Sequence, residues 1–260
     1  MGPDIQDSPD QEENTLTPRA KRLKVQHQTH HTTTAEANPQ LLPTTAMPSI
    51  LETIQLEHVP STHSVHVAVF RNVENAAFLH QQLLARNAEF QYALIDAGVI
   101  TSRLQVLGAA FKAITVQAAG TMKTPNVHSE IVCSLSPANN IAEAYRRHGI
   151  TPTSRDLVIV KVLIRTPEDT TPGPESETTA SSTGKPALTA QDIEKHLLTH
   201  VKGDPAPFTD ETLSELTDWG RVRKYYKLNG LGWLDGLKDP AAKNREINML
   251  AVGGMALRGV

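Results

Sequence analysis

Four side chains in the middle of the chain have the residue types of a hydrolytic centre. Ser129 or Cys133 could act as a nucleophile, His128 as its base and Asp96 as the group that orients the base. No nucleophile elbow or other local signature surrounds them. Residues 127–135 alternate as a strand does, and neighbours on a strand face opposite sides, so His128 would not reach Ser129. A hydrolase is therefore one alternative, with Cys133 expected to be a small buried side chain instead.

The sequence gives little support for a phosphate-binding loop or a metal centre. The turn Ser136–Asn140 follows the predicted strand but contains no glycine, and no segment matches GxxxxGK[ST] or GxGxxG. The sequence has neither CxxC nor HExxH. Three histidines near the N-terminus, His27, His30 and His31, lie in a polar tract and fit a solvated segment better than a metal site. We predict no cofactor and no metal.

Basic residues form two groups that could contact a nucleic acid. The formal net charge is -3, but residues 1–50 and 167–187 are acidic, and the rest of the chain carries 20 basic and 18 acidic residues. That balance is far weaker than in dedicated nucleic-acid domains. A freestanding nucleic-acid-binding module is thus a second alternative, and the second group could equally be a solvated helix face with its tyrosines in the core. The groups are Lys112, Lys123, Arg146 and Arg147, and then Arg221, Arg223, Lys224 and Lys227 beside Tyr225 and Tyr226.

Composition divides the chain into one domain and two polar segments. Hydrophobic residues make up 39% and aromatic residues 4%, which suggests that part of the chain lies outside a core. We predict a disordered tail over residues 1–49, a single domain over 50–260, and a disordered low-complexity insertion over 167–187 that loops out of it. The longest apolar run, LVIVKVLI, is interrupted by Lys161, so we expect no membrane span.

The tail and the cysteine content suggest a location. PRAKRLKV places Arg19, Lys21, Arg22 and Lys24 close together, which resembles a nuclear import signal. A single cysteine excludes an internal disulfide framework and fits a reducing compartment. We expect the protein in the nucleus and the cytoplasm.

Patterns along the domain predict an α/β (α+β) fold. Strands are expected over 49–57, 64–71, FQYALIDA, 127–135 and 156–164, with the last of these central because it is apolar on both faces. Helices are expected after the capping residues Ser102, Asn140, Thr189 and Asp218, and over 241–258. The helix after Ser102 would bury Leu104, Leu107, Phe111 and Ile114. Gly149 would end its helix in the left-handed conformation.

One long segment resembles a known family. MKTPNVHSEIVCSLSPANNIAEAYRRHGI, residues 122–150, is similar to the signature segment of the TPRKB-type subunit of the EKC/KEOPS complex. VAVFRNVENAAFLHQQLL resembles that family's first strand and helix, and RVRKYYKL its late basic helix. The resemblance covers residues 50–165 well and the chain after 188 more loosely. Ala138, Tyr145 and His148 depart from the family's pattern.

The resemblance implies a noncatalytic role and a mixed sheet flanked by helices. In the family, this subunit docks on the PRPK-type atypical kinase of the complex, contacts the other subunits through it, and helps to recruit tRNA by its 3′ end. The complex installs threonylcarbamoyladenosine next to the anticodon, and roles in transcription and at telomeres are attributed to it as well.

The resemblance also assigns residues to each partner. Kinase binding in the family involves the C-terminal helix, where Ile247, Leu250, Ala251 and Leu257 would supply the apolar face. Lys123, Arg146 and Arg147 match basic positions of the family and would contact tRNA phosphates, which position a nucleic acid without reading its sequence.

Overall fold

The computed structural model describes residues 49–165 and 188–258. The predicted tail with its import signal, Arg19, Lys21, Arg22 and Lys24, and the predicted insertion at 167–187 lie outside the described residues. Within them, a β-sheet carries helices on both faces, which confirms the predicted fold class. No helix among them is long and apolar enough to cross a membrane.

The described residues contribute five strands to one sheet. β4 is central, as predicted, and lies in the order β1-β2-β4-β3, while β5 pairs with the end of β2. Every described pairing is antiparallel, where the resemblance implied a mixed sheet. The reason is that β2 and β3 run in the same direction but β4 lies between them and pairs with both. The strands are β1 (Glu52–Ile54), β2 (His63–Arg71), β3 (Ala93–Asp96), β4 (Leu157–Ile164) and β5 (Asp204–Ala206).

Polar side chains at the helix starts explain where most helices begin. Ser102, Thr189 and Asp218 each accept a hydrogen bond from a first-turn amide, as the sequence predicted. Asn140 does the same for the amide of Glu143. The helices are α1 (Ala76–Leu84), α2 (Arg103–Ala118), α3 (Val127–Ser134), α4 (Ile141–His148), α5 (Ala190–His200), α6 (Asp210–Leu216), α7 (Trp219–Tyr225), α8 (Gly232–Asp235) and α9 (Pro240–Ala256).

The sheet separates two cores, and a third cluster lies beside them. Val65, Val67 and Val69 face α2 and α3, while Phe70 on the opposite face of β2 packs with α1 and α5. This is the alternation predicted for β2. The third cluster, here called the satellite cluster, joins α7, α8 and α9 and consists of Val222, Tyr226, Leu228, Leu234, Ile247 and Ala251.

The predicted strand over 127–135 is wrong, because this segment forms α3. Asn126 accepts the amide of Ser129 and starts the helix. Nearly every residue of α3 is buried, including the polar His128 and Glu130. A segment buried on all sides shows no helical periodicity, so its apolar pattern imitated the alternation of a strand.

Two details of the helix predictions are also wrong. Leu104 and Phe111 are 61% and 39% exposed, because α2 buries Val106 and a row of alanines against the sheet instead. Gly149 is not left-handed, since its φ is -75°. A Cβ on Gly149 would lie 2.7 Å from the carbonyl oxygen of Tyr145, so a close backbone approach requires the glycine.

Candidate functional site

The C-terminal helix α9 belongs to two clusters at once. Asp239 accepts the amides of Ala241 and Ala242, and Pro240 takes the first helical position. The helix continues through both glycines to Ala256. Its inner side places Ile247 and Ala251 in the satellite cluster and Met255 in the core between the sheet and α2. The helix is therefore an integral part of the fold.

The opposite side of α9 is apolar and open to solvent. Met249 is 65% exposed and Leu257 is 71% exposed. Val252 and Gly253 are half-buried and Ala256 is exposed, so these residues form a continuous apolar strip, here called the outer face of α9. A Cβ on Gly253 would meet no atom within 4 Å, so nothing in the described chain covers this position.

Only one of the four predicted kinase-binding residues lies fully on this outer face. Leu257 is exposed, whereas Leu250 is half-buried against the satellite cluster, and Ile247 and Ala251 are buried in it. The helical spacing of apolar residues identifies a face that packs against something. It does not tell whether that face packs against the same chain or against a partner protein. The signal that sequence reasoning missed was the second set of apolar residues, at Met249, Val252 and Ala256, on the other side of the same helix.

The turn Ser136–Asn140 supports the end of α9. Arg258 donates to the carbonyl oxygens of Cys133 and Ser136 and to the side chain of Asn139, at 3.0 Å for the last of these. The Lys112 ammonium donates to the carbonyl oxygen of Arg258 at 2.6 Å. Most of the segment that carries the family resemblance thus has a structural role, because it anchors the C-terminal helix.

A cleft of about 710 Å³ opens beside the segment that leads into β3. The outer edge of β3 itself is covered by the segment after α4, where the amide of Ile150 donates to the carbonyl oxygen of Leu94 at 2.9 Å. Phe90, Tyr92 and Ile150 are among the apolar residues lining the cleft, and its walls come from α1 on one side and from α3 and α4 on the other. Its volume is in the range of small-ligand sites.

Two arginines line this cleft. Arg146 extends from α4 with 75% of its side chain exposed. Arg86 follows α1 and holds a φ of 54°, the left-handed conformation that closes the end of this helix, where the amides of Arg86 and Asn87 donate to the carbonyl oxygens of Leu83 and Gln82. The cleft therefore combines aromatic and aliphatic lining with two cations, which suits a flat ring bearing an anionic group.

The three predicted tRNA contacts do not converge on one site. Arg146 lines the cleft. Arg147 is engaged within the fold, since it pairs with Glu143, donates to the carbonyl oxygen of Tyr225 at 3.2 Å and lies over that ring. Lys123 is exposed in the loop before α3. Burial lowers the pKa of Lys112, and the nearby charges of Arg258 and Lys123 lower it further.

A buried carboxylate fixes the loop that carries Lys123. Glu130 on α3 accepts the backbone amides of Lys123 and Thr124 at 3.2 and 3.1 Å and the hydroxyl of Thr124 at 2.7 Å. Glu130 is 4% exposed. The Met-Lys-Thr and Ser-Glu-Ile parts of the family-like segment are thus joined by hydrogen bonds to each other. The prediction of a strand over 127–135 did not anticipate this contact.

The residue types of a hydrolase are not assembled into a catalytic group. Burial lowers the pKa of His128 to about 3 and raises the pKa of the Cys133 thiol to about 11. His128 accepts the amide of Val162, and Asp96 accepts the amide of Gly98 and the hydroxyl of Ser154. Among the described residues, no hydrogen bond joins a nucleophile to His128 or His128 to Asp96.

Lys161 is the one charged residue on the central strand β4. Its ammonium donates to the carbonyl oxygen of Gln91 at 2.6 Å and lies 4.9 Å from the ring centre of Tyr92. It forms no ion pair with a described acidic residue, and it lines a second cavity of about 410 Å³. Burial lowers the pKa of Lys161 to about 8.

The free energy of unfolding should depend on pH through Lys161. Between pH 8 and 10.4 the unfolded chain, whose lysines titrate near 10.4, binds more protons than the folded chain, so stability rises with pH in this window. We expect wild-type protein to gain about 1 to 2 kcal/mol relative to Lys161→Met between about pH 7.5 and 9.5. Urea unfolding of both proteins at the two pH values measures this gain, and equal responses would contradict it.

Known proteins that are similar to this chain belong to one family. Residues 70–259 match the model of the family described as Kinase binding protein CGI-121. The protein named EKC/KEOPS complex subunit CGI121 from Gibberella zeae is 55% identical over 210 residues, which cover 81% of this chain and 99% of the relative. Its counterparts from Neurospora crassa and Aspergillus fumigatus are 46% and 43% identical, over 81% and 80% of this chain and 99% and 97% of the relatives. The chain belongs to the CGI-121 family of kinase-binding proteins.

Proposed function

We propose that this protein is a noncatalytic subunit of an EKC/KEOPS complex, that it binds the atypical kinase of that complex, and that it supports threonylcarbamoyladenosine modification of tRNA. Family membership and the names of the relatives support the kinase and the complex. The modification of tRNA follows from the resemblance of residues 122–150.

The proposal that this protein binds the kinase rests on the outer face of α9. An exposed apolar strip on a helix that is fixed by its own core is suited to a groove on a partner. Gly253 adds to this, since the absence of a side chain allows the partner to approach the helix backbone closely. The simplest experiment is size-exclusion chromatography of the purified chain with the purified kinase, in which we expect a single complex.

The cleft at β3 is the surface that we propose for tRNA. An unpaired nucleotide at an RNA end offers a flat base for the half-buried Tyr145 and a phosphate for Arg86 or Arg146. Both parts of the ligand therefore have a counterpart in the cleft. Arg147, which the resemblance also assigned to tRNA, has its contacts within the fold and is proposed as a residue that positions α4.

Arg146→Glu should weaken tRNA binding. The change removes one phosphate contact and adds a repulsive charge, so we expect about 10-fold weaker binding at low salt and a salt dependence reduced by about one ion. Binding curves over a salt series measure both effects. Arg155→Glu makes the same charge change at an exposed residue that does not line the cleft and should bind tRNA like the wild type. Equal affinity of the two variants would remove the cleft from the proposal.

The location remains a proposal that rests on the tail. We propose the nucleus and the cytoplasm, on the basis of the basic segment with Arg19, Lys21, Arg22 and Lys24. Roles at telomeres or in transcription would belong to the complex and are proposed only through it.

A further inference from the structure

The segment around α8 exposes a tryptophan that the fold does not use. α8 is four residues long, and its Leu234 is completely buried in the satellite cluster. Its neighbour Trp233 is 54% exposed and does not belong to that cluster, whereas the other tryptophan, Trp219, packs against it. A large apolar ring that is more than half exposed favours a contact with a partner.

Basic residues lie on both sides of this tryptophan in the sequence. Residues 217–246 carry seven basic and four acidic side chains. Two of the acids, Asp218 and Asp239, start helices, and Asp235 pairs with Arg223. The positive excess is therefore carried by exposed side chains that pair with no described acidic residue, namely Lys224, Lys227, Lys238 and Arg245.

The structure fixes α8 between the basic elements. The guanidinium of Arg223 on α7 pairs with the carboxylate of Asp235 on α8. The carbonyl oxygen of Asp235 accepts from the Lys243 ammonium of α9 at 3.3 Å. Because Trp233 lies two residues before Asp235, these contacts hold its short helix between the end of α7, which carries Lys224, and the start of α9, which follows Lys238.

We propose that Trp233, Lys224, Lys227 and Lys238 form a second RNA-binding surface, on which an unpaired base stacks on the indole while the lysines contact neighbouring phosphates. An exposed ring beside cations that lack acidic partners matches the alternation of bases and phosphates in a single strand. An acidic peptide would satisfy the lysines but leaves the flat indole surface without a counterpart. The proposal rests on the proposed function, because it takes the RNA to be tRNA, and it adds a site separate from the cleft.

The two tryptophans provide a direct measurement. In Trp219→Phe, Trp233 is the single tryptophan of the chain. Adding tRNA should quench its fluorescence, and the quenching should disappear at high salt. Trp233→Leu should weaken tRNA binding about 10-fold, and Lys224→Glu with Lys227→Glu should lower the salt dependence by about two ions. Trp233→Leu should unfold at the wild-type temperature and still form the complex with the kinase.

The outcomes separate this surface from the cleft. If Trp233→Leu and the double lysine variant bind tRNA like the wild type while Arg146→Glu binds weakly, the second surface is refuted and the cleft stands. If Arg146→Glu binds like the wild type while the Trp233 and lysine variants bind weakly, the second surface stands and the cleft fails. If Trp233→Leu loses the kinase and keeps tRNA, this surface is a protein interface and the proposal is overturned.

Discussion

Replacing Met249 by glutamate is expected to prevent the chain from forming a stable complex with the kinase. Met249 is 65% exposed on the outer face of α9, so the change should leave the fold intact. In the complex, the carboxylate would be buried in an apolar groove without a partner, which is strongly unfavourable. We expect the dissociation constant to rise roughly 100-fold or more, as for a central residue of an interface. Calorimetry or size-exclusion chromatography with the purified kinase measures the effect.

A matched control distinguishes docking from general surface effects. Leu198 on α5 is 53% exposed and lies far from α9 in the sequence, so Leu198→Glu makes a similar change on another helix and should keep full affinity. Leu250→Glu is less informative, because Leu250 packs against the satellite cluster and its loss could act through the fold. Wild-type affinity of Met249→Glu would show that the kinase binds elsewhere.

Replacing Glu130 by alanine is expected to destabilise the protein strongly. The carboxylate accepts two backbone amides and one hydroxyl, and Thr124, which supplies two of these donors, is 8% exposed. Buried donors left without an acceptor cost about 1 to 3 kcal/mol each. We expect the free energy of unfolding to fall by about 3 kcal/mol or more, measured by urea unfolding with unchanged slope.

The control for this prediction is another glutamate of the same segment. Glu143 on α4 is half-buried rather than buried and pairs with the exposed Arg146 and the half-buried Arg147, and ion pairs open to solvent contribute about 1 kcal/mol or less. Glu143→Ala should therefore be only slightly less stable than the wild type. If Glu130→Ala were equally mild, the loop of Lys123 would be held by other contacts than the carboxylate.

Sequence patterns predicted the elements whose signals are local. Helix starts at Ser102, Thr189 and Asp218 follow from a single capping side chain, and the central position of β4 follows from its continuous apolar run. The helix α3 was missed because tertiary burial on all sides removes the periodicity that distinguishes a helix from a strand. The buried face of α2 was predicted wrongly because alanines, which are weakly hydrophobic, form the closest contact between this helix and the sheet.

The binding surfaces were predicted less well than the elements. Spacing selected Ile247 and Ala251, which are the core side of α9, and the docking side became visible only once the packing was known. Among the basic residues, Arg146 and Arg147 are neighbours in sequence, yet one lines the cleft and the other stacks on Tyr225. Whether a cation is free for a ligand depends on partners from distant parts of the chain, such as the carbonyl oxygen of Tyr225 for Arg147.

The contacts of Arg258 bear on the order in which the protein folds. This residue binds carbonyl oxygens that lie 125 and 122 positions earlier, and Met255 completes the core against α2. Contacts between residues so far apart in the sequence close a large loop, so we expect this packing to form late in folding. Assembly with the kinase through α9 should therefore follow the completion of the fold, and loss of the Arg258 side chain should weaken it even when every other helix is intact.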